Sequence, residues 1–323
     1  MKDDIVLLAN PDSSIWGFVQ DIYHKLLEKG LDLSLVEIKI KRFRDREMKV
    51  KITENVREKT CFFVHDSTLE PSEWFTQLAL INYAIKYASA SKIIDVLPYL
   101  YFSRQDRKDE SRVAINARVV ADIVSLYTDR VITIDLHAPQ IQGFYSIPLD
   151  NLYSFPVAVE YIFNTYPEMR ENLVVMSPDA GGVNRARSFM ERFRDKFKRS
   201  SYLVFGYKYR PREGEVGEYK LLGDVNEKNV IIVDDIVDSG NTLINAARVL
   251  REHGARRVYA YVTHALFTEG FEKVRDHFDR FFVTNTRPLG IQDERLEIIN
   301  ISTLFTEAIY RIATKKSLSG LFV

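Results

Sequence analysis

The chain's 323 residues exceed one ordinary core and predict two domains, and its 46% hydrophobic and 28% charged side chains are those of a folded globular protein, not a disordered or fibrous one. Its 45 basic and 45 acidic residues cancel, so no net field draws it to nucleic acid or to an anionic membrane surface.

The chain opens MKDDIVLLANPDSS, with acids where a secretory leader needs cations, and contains no apolar run of the roughly 18 residues that span a membrane. A cytoplasmic location is expected. Short β-rich runs then alternate with amphipathic stretches: IVLLA, LVEIKI, CFFVHD, KIIDVLPYL, RVITIDL, NLVVMSPD, YLVFGYKY, NVIIVDD, RVYAYVTHA and RFFVTN. This alternation predicts an α/β protein whose mainly parallel sheets are covered by helices. Continuous apolar strands such as VIIV fit burial on both sheet faces. The single cysteine, Cys61 in CFFV, excludes an internal disulfide, fits a reducing compartment and reads as a small buried strand residue.

An internal echo runs through the order of these segments. CFFVHDS, ALINYAIKYASA and SKIIDVLP parallel VIIVDDI, TLINAARVLREHGA and RRVYAYVTHA, which predicts two copies of one α/β unit. Where the second copy has Asp234, Asp235 and a Ser-Gly-Asn-Thr loop, the first has His65, Asp66 and STLEPSEW. Turn residues in IPLDNLYSFP place the boundary, giving domains 1–150 and 151–323.

Six segments carry chemistry. In RFRDRE, Phe43, Asp45 and Glu47 share one side of an extended segment by the two-residue period; they suit adenine, although an alternating surface hairpin has the same pattern. RQDRKDESR, from Arg104 to Arg112, follows an apolar strand. Its arginines fit a polyphosphate clamp, and a solvated charge run reads the same way. His137 in DLHAPQIQGF stands at a strand end, as a metal ligand or a hydrogen-bonded structural residue. Asp179 in SPDAGG offers magnesium an oxygen, or forms an ordinary Asp-Gly turn. Lys208 and Arg210 share a face ahead of a polar, glycine-containing stretch that reads as a lid or an exposed hairpin. Finally, VIIVDDIVDSGNT forms a strand, loop and helix start. Asp234 and Asp235 suit two ribose hydroxyls, and Asp238, Ser239, Gly240, Asn241 and Thr242 surround a phosphate with backbone N–H groups and hydroxyls.

In this order RFRDRE, YFSRQDRKDESR, ITIDLHAPQIQGFY, DNLY, SPDAGG, KYR, GDV and VIIVDDIVDSGNT resemble the ribose-phosphate pyrophosphokinases, from about Lys41 to the final LSGLF. The resemblance implies two tandem phosphoribosyltransferase-like domains, 1–150 with the nucleotide-binding segments and no phosphate loop, and 151–323 with the ribose 5-phosphate loop and the lid. It implies transfer of the β,γ-diphosphoryl group of ATP to the 1-hydroxyl of ribose 5-phosphate, giving phosphoribosyl pyrophosphate and AMP. Phe43, Asp45 and Glu47 then hold adenine in a neighbouring subunit's site, so the protein is expected to be a homo-oligomer with the ATP site shared between subunits. Arg104, Gln105, Arg112 and His137 bind ATP, and His137 and Asp179 match the Mg2+ site. Asp234, Asp235, Asp238, Ser239, Gly240, Asn241 and Thr242 hold ribose 5-phosphate, and Lys208 and Arg210 are the catalytic lid pair.

The chain departs from that pattern in places. Ser239-Gly240-Asn241-Thr242 replaces the usual Thr-small-Gly-Thr and looks like the loop of purine-salvage phosphoribosyltransferases; NPDSS replaces a glycine-serine opening; and Asn55 stands where a serine often serves a phosphate- and ADP-responsive site, for which Arg57, Ser317 and Ser319 remain. A transferase that consumes phosphoribosyl pyrophosphate explains VIIVDDIVDSGNT but leaves RFRDRE and RQDRKDESR idle. A silent regulatory subunit is the other alternative, marked by loss of lid cations or metal ligands.

Overall fold

The computed structural model describes residues 4–209 and 218–322. In chain order its elements are β1 (Ile5–Ala9), α1 (Trp16–Glu28), β2 (Ser34–Arg42), β3 (Met48–Ile52), β4 (Thr60–Val64), α2 (Pro71–Tyr87), β5 (Lys92–Leu97), α3 (Asn116–Val124), β6 (Arg130–Ile134) and β7 (Leu149–Leu152). There follow α4 (Phe155–Thr165), β8 (Leu173–Ser177), α5 (Val183–Phe197), β9 (Tyr202–Tyr209), β10 (Glu218–Leu222), β11 (Asn229–Val237), α6 (Asn241–Glu252), β12 (Arg257–Ala265), α7 (Glu272–Arg275), β13 (Arg280–Thr284), β14 (Leu296–Ile299) and α8 (Ser302–Ala313).

Two compact units result: Met1–Tyr153 with Thr286–Pro288 and Ile301–Val323, and Ser154–Asn285 with Leu289–Asn300. Helix α8 therefore belongs to the first unit although it follows the second unit's last strand. There it meets α1, where Phe18 and Phe305 pack edge to face at 5.6 Å. No helix among the described residues is long and apolar enough to cross a membrane.

Each unit holds one seven-stranded sheet, ordered β3-β2-β1-β4-β5-β6-β7 in the first and β10-β9-β8-β11-β12-β13-β14 in the second. Every neighbouring pair is parallel except the edge hairpins, β2 with β3 and β9 with β10. The sheets have one topology, and the echo in the sequence falls on matching places: β4-α2-β5 and β11-α6-β12 occupy the fourth position, a helix, and the fifth. Continuous apolar runs lie inside, with Val230, Ile231, Ile232 and Val233 of β11 all fully buried. Helix α6 buries Leu243, Ala246, Ala247 and Leu250, spaced i, i+3, i+4 and i+7, into the cluster that holds Val230, Ile232, Val258 and Ala260. Burying one such leucine stabilises the unit by about 2 kcal/mol.

The stretch IPLDNLYSFP, expected to be a turn, contains β7, which pairs with β6 through Val131↔Leu149 to Ile134↔Leu152. Strands β3, β10 and β14 were not anticipated either. These four are the outer strands of the two sheets.

Candidate active site

Within the second unit the chemistry gathers at the carboxyl ends of β8 and β11. Asp234 is partly buried and Asp235 only 3% exposed, and both face one guanidinium: Arg185 Nη1 lies 3.4 Å from Asp234 Oδ1 and 3.1 Å from Asp235 Oδ1. Asp234 Oδ1 also accepts the Asp235 backbone N–H at 2.9 Å. Burial and the adjacent Asp235 carboxylate push the Asp234 carboxyl well above the usual range, and the Arg185 charge pulls it back. Arg185 was not singled out in the sequence.

The turn SPDAGG places both Asp179 and Arg185. Ser177 Oγ donates to the Asp179 carbonyl at 2.6 Å, and Asp179 Oδ1 accepts the Gly182 N–H at 2.9 Å. A Cβ at Gly182 would stand 2.8 Å from Ser177 Oγ, so a side chain there would displace the hydroxyl that holds the Asp179 carbonyl where the turn closes into α5, which carries Arg185 on its first turn. The Asp179 carboxylate is thereby oriented while staying exposed.

Lys208 lies near the end of β9, opposite Tyr219 of β10 in the hairpin register, and Arg210 lies outside the described residues. Tyr219, also not anticipated, donates its hydroxyl to the Pro178 carbonyl at 2.7 Å. Burial raises its pKa, and the Asp179 and Asp234 charges add to the effect.

After β11 the chain turns through Asp238, Ser239 and Gly240, which adopts φ +79° and closes the first helical bond of α6 through Ile244 N–H to Gly240 O at 2.9 Å. The N-cap Gly240 offers no side chain to cap α6, so the helix's first N–H groups face the loop. The loop is braced from one side: Thr268 Oγ1 donates to Asp238 Oδ1 at 2.6 Å, Lys273 Nζ to Asn241 Oδ1 at 2.7 Å, and Val274 packs on Gly240. Ser239 and Thr242 are partly buried and Asn241 is exposed.

The equivalent place in the first unit is closed. His65 is buried with a ring nitrogen 2.9 Å from the Trp74 carbonyl, Asp66 accepts from Thr68 N–H at 2.8 Å, and Glu70 caps α2 by accepting the Ser72 N–H at 3.0 Å behind Pro71.

Elsewhere in the first unit the expected nucleotide residues sit on exposed connections. Phe43, 56% exposed, Asp45 and Glu47 do not lie on an extended segment; they form the β2–β3 turn, with Phe43 N–H bonded to Glu47 O at 2.9 Å, Glu47 N–H to Asp45 Oδ1 at 3.1 Å, and Arg46 at φ 75°. Arg104 and Arg112 are exposed, the latter at φ 64°. Gln105 donates to the Arg107 carbonyl at 2.9 Å and to Asp109 at 3.0 Å. His137 is exposed just after β6, and Gln140 beyond it donates to Asp106 at 3.1 Å, which joins this turn to the arginine segment.

A parallel α/β sheet with a phosphate-type loop and paired carboxylates at its carboxyl edge, duplicated with only one loop kept, defines the phosphoribosyltransferase-like class. Residues 18–126 match the N-terminal domain of ribose phosphate pyrophosphokinase, and residues 213–323 match a phosphoribosyl synthetase-associated domain. The chain is 40% identical over 298 residues to the ribose-phosphate pyrophosphokinase of Hyphomonas neptunium, covering 90% of this chain and 93% of that one. It is 38% identical over 305 residues to the Haemophilus influenzae enzyme of that name, covering 92% and 95%. The crystal structure of phosphoribosylpyrophosphate synthetase from Mycobacterium smegmatis superposes with TM-score 0.84 at 28% identity, over 97% of this chain and 100% of that one. The chain belongs to the ribose-phosphate pyrophosphokinase family.

Proposed function

We propose that the second unit holds ribose 5-phosphate and the first holds ATP, so that the named residues carry the family's reaction. That reaction transfers the β,γ-diphosphoryl group of ATP to the 1-hydroxyl of ribose 5-phosphate, and yields phosphoribosyl pyrophosphate and AMP. The observation that carries the assignment is the Arg185-bridged pair Asp234 and Asp235 ahead of the braced loop at Gly240. Two carboxylate acceptors suit vicinal hydroxyls, and a loop of backbone N–H groups and hydroxyls from Asp238 to Thr242 suits the 5-phosphate.

Phosphoryl transfer asks the protein mainly for alignment and for neutralisation of charge on the phosphate oxygens. Asp234 and Asp235 orient the sugar, and the phosphate loop fixes its other end. Lys208 and Arg210 supply lid cations to the transferring group. Phe43, Asp45 and Glu47 take adenine from an exposed turn, which suits contribution to a neighbouring subunit's site in a homo-oligomer; Arg104, Gln105, Arg112 and His137 take the rest of the nucleotide.

Magnesium is the metal this reading assigns, to His137 and Asp179, where it would neutralise phosphate charge. The oriented, exposed Asp179 carboxylate is a fitting hard donor. No group of three or more His, Cys, Asp or Glu side chains that could hold a metal occurs among the described residues. Magnesium is usually bound through one or two carboxylates together with water and substrate phosphates. A cytoplasmic location completes the reading.

The test is incubation of the purified protein with ATP, Mg2+ and ribose 5-phosphate, following AMP and the phosphorus spectrum of the sugar product. Absence of AMP in the presence of activating phosphate would overturn the assignment. Lys208→Ala is expected to collapse turnover while nearly keeping substrate affinity; lost ribose 5-phosphate binding with unchanged turnover would remove Lys208 from the lid.

A further inference from the structure

The loop Asp238–Thr242 contains an acid and no cation of its own, and Asn241 puts a side chain where the family's usual loop has glycine. That side chain, although exposed, is engaged by a partner. Its Oδ1 accepts a hydrogen bond from Lys273 Nζ at 2.7 Å, and the same ammonium pairs with Glu269 Oε2 at 2.8 Å. An ammonium carries three donors, and these contacts take two. Because Oδ1 and Nδ2 lie on opposite sides of an amide, the bond to Lys273 also fixes which way the Asn241 amide turns, with its N–H2 donors away from the lysine.

The lysine itself is held in place from below. Its neighbour Val274 packs directly on Gly240, and Thr268 is bonded to Asp238 through both its hydroxyl, at 2.6 Å, and its N–H, at 3.2 Å. The segment from Thr268 to Val274 is therefore a brace laid along the loop, and Lys273 is its charged member. An exposed i,i+4 pair with Glu269 alone would be a common surface feature worth little. The contact to Asn241 and the packing of Val274 set this lysine apart.

We propose that Lys273 is a positioning residue for the 5-phosphate of ribose 5-phosphate: it orients the Asn241 amide as a donor and brings to the loop the cation that its own residues lack. The proposal rests on the reading of Asp238–Thr242 as the ribose 5-phosphate site. It accounts for the departure at Asn241 as half of a matched pair whose other half lies 32 residues further along the chain.

The experiment compares steady-state kinetics of the full chain with Lys273→Gln, Lys273→Met, Lys273→Arg and, as a separate probe of the loop, Thr242→Val. Lys273→Gln and Lys273→Met are each expected to raise KM for ribose 5-phosphate about tenfold, as for loss of a charge-assisted contact. KM for ATP and kcat at saturation stay within about twofold, and Lys273→Arg keeps most of the affinity. Raising ionic strength should weaken ribose 5-phosphate binding less in Lys273→Gln than in the unaltered chain. If Thr242→Val raises KM for ribose 5-phosphate and the Lys273 variants do not, the proposal falls while the site reading stands. Should neither move it, the site reading falls and takes the proposal with it. An arginine variant as impaired as the glutamine one would also overturn the charge-based role.

Discussion

Arg185 lies 3.1 Å from Asp235, and the same Nη1 reaches Asp234 at 3.4 Å, so one guanidinium faces two adjacent carboxylates and offsets part of the burial that raises the Asp234 carboxyl. With Arg185→Gln, Asp234 should hold its proton to a higher pH, since the Arg185 charge is what lowers its affinity for protons. A protonated carboxyl is a poorer acceptor for a sugar hydroxyl. KM for ribose 5-phosphate is therefore expected to rise about tenfold, the scale of one charge-assisted contact, and its pH profile to lie at higher pH than that of the unaltered chain. The measurement is KM of both proteins across a common pH range, and coincident profiles would sink the idea.

Tyr219 gives a second handle, because its hydroxyl ties β10 of the β9–β10 hairpin to the Pro178 carbonyl beside Asp179. Tyr219→Phe leaves that carbonyl without this donor and should cost about 1 kcal/mol, the usual worth of one such bond. Gly206→Ala should be worse. A Cβ there would stand 2.0 Å from the Tyr219 hydroxyl and 2.6 Å from Cε1, so the ring itself must move. Thermal melts and kcat of both variants check the order; equal effects would show that the ring was free to yield.

The strands read from the sequence and those missed differ in one physical respect. All ten anticipated runs are interior strands of the two sheets, and β3, β7, β10 and β14 are the four edges. An interior parallel strand is covered on both faces and reads as a continuous apolar run, as in VIIV. The edge strand MKVKI is short, alternates intermediate with exposed residues and carries lysines that discourage further pairing, whereas LDNL is largely buried but only four residues long, with Asp150 and Asn151 interrupting its apolar run. The site divided in the same way. Asp234, Asp235 and the Gly240 loop were legible because their types and spacing are local. Arg185, Tyr219 and Lys273 were not, because each acts through a partner brought close only by the fold: Arg185 across 49 positions to Asp234, Tyr219 across 41 to Pro178, Lys273 across 32 to Asn241.

One anticipated interior strand conceals a titrating group. Asp95 in β5 is fully buried; its Oδ2 accepts from Asn82 Nδ2 and Thr128 Oγ1, both at 2.7 Å, and its Oδ1 has no hydrogen-bond partner among the described residues. Burial pushes its pKa up to about 7. The folded chain therefore keeps a proton that the unfolded chain gives up near pH 4, and stability falls as the pH rises between these values, by up to about 4 kcal/mol from this residue. Above about pH 7 that contribution is gone. Asp95→Asn mimics the protonated form: its Oδ1 can still accept from Asn82 and Thr128. The variant should melt higher than the unaltered chain at pH 8 and close to it at pH 5. Denaturation across pH 5 to 8 tests this, and a parallel pH dependence in both proteins would exclude Asp95 as its source.

Gly240 carries two constraints that can be separated. Its φ of +79° strains any residue with a Cβ, at about 1 kcal/mol, and a Cβ there would also stand 2.2 Å from Val274 Cγ1. Gly240→Ala should destabilise the protein by about 2–3 kcal/mol, since overpacking adds to the backbone strain. It should raise KM for ribose 5-phosphate more than tenfold, because the loop must shift to admit the methyl. Val274→Ala removes the obstacle without touching the backbone term. In the double variant part of both losses should return, with a coupling of about 1 kcal/mol or more, as expected for residues in direct contact. Urea unfolding and KM for ribose 5-phosphate of the two single variants and the double variant close the cycle. Strict additivity would mean that α7 does not press on the loop, whereas recovery of affinity along with stability would show that the brace, and not the glycine's conformation alone, sets the loop's shape.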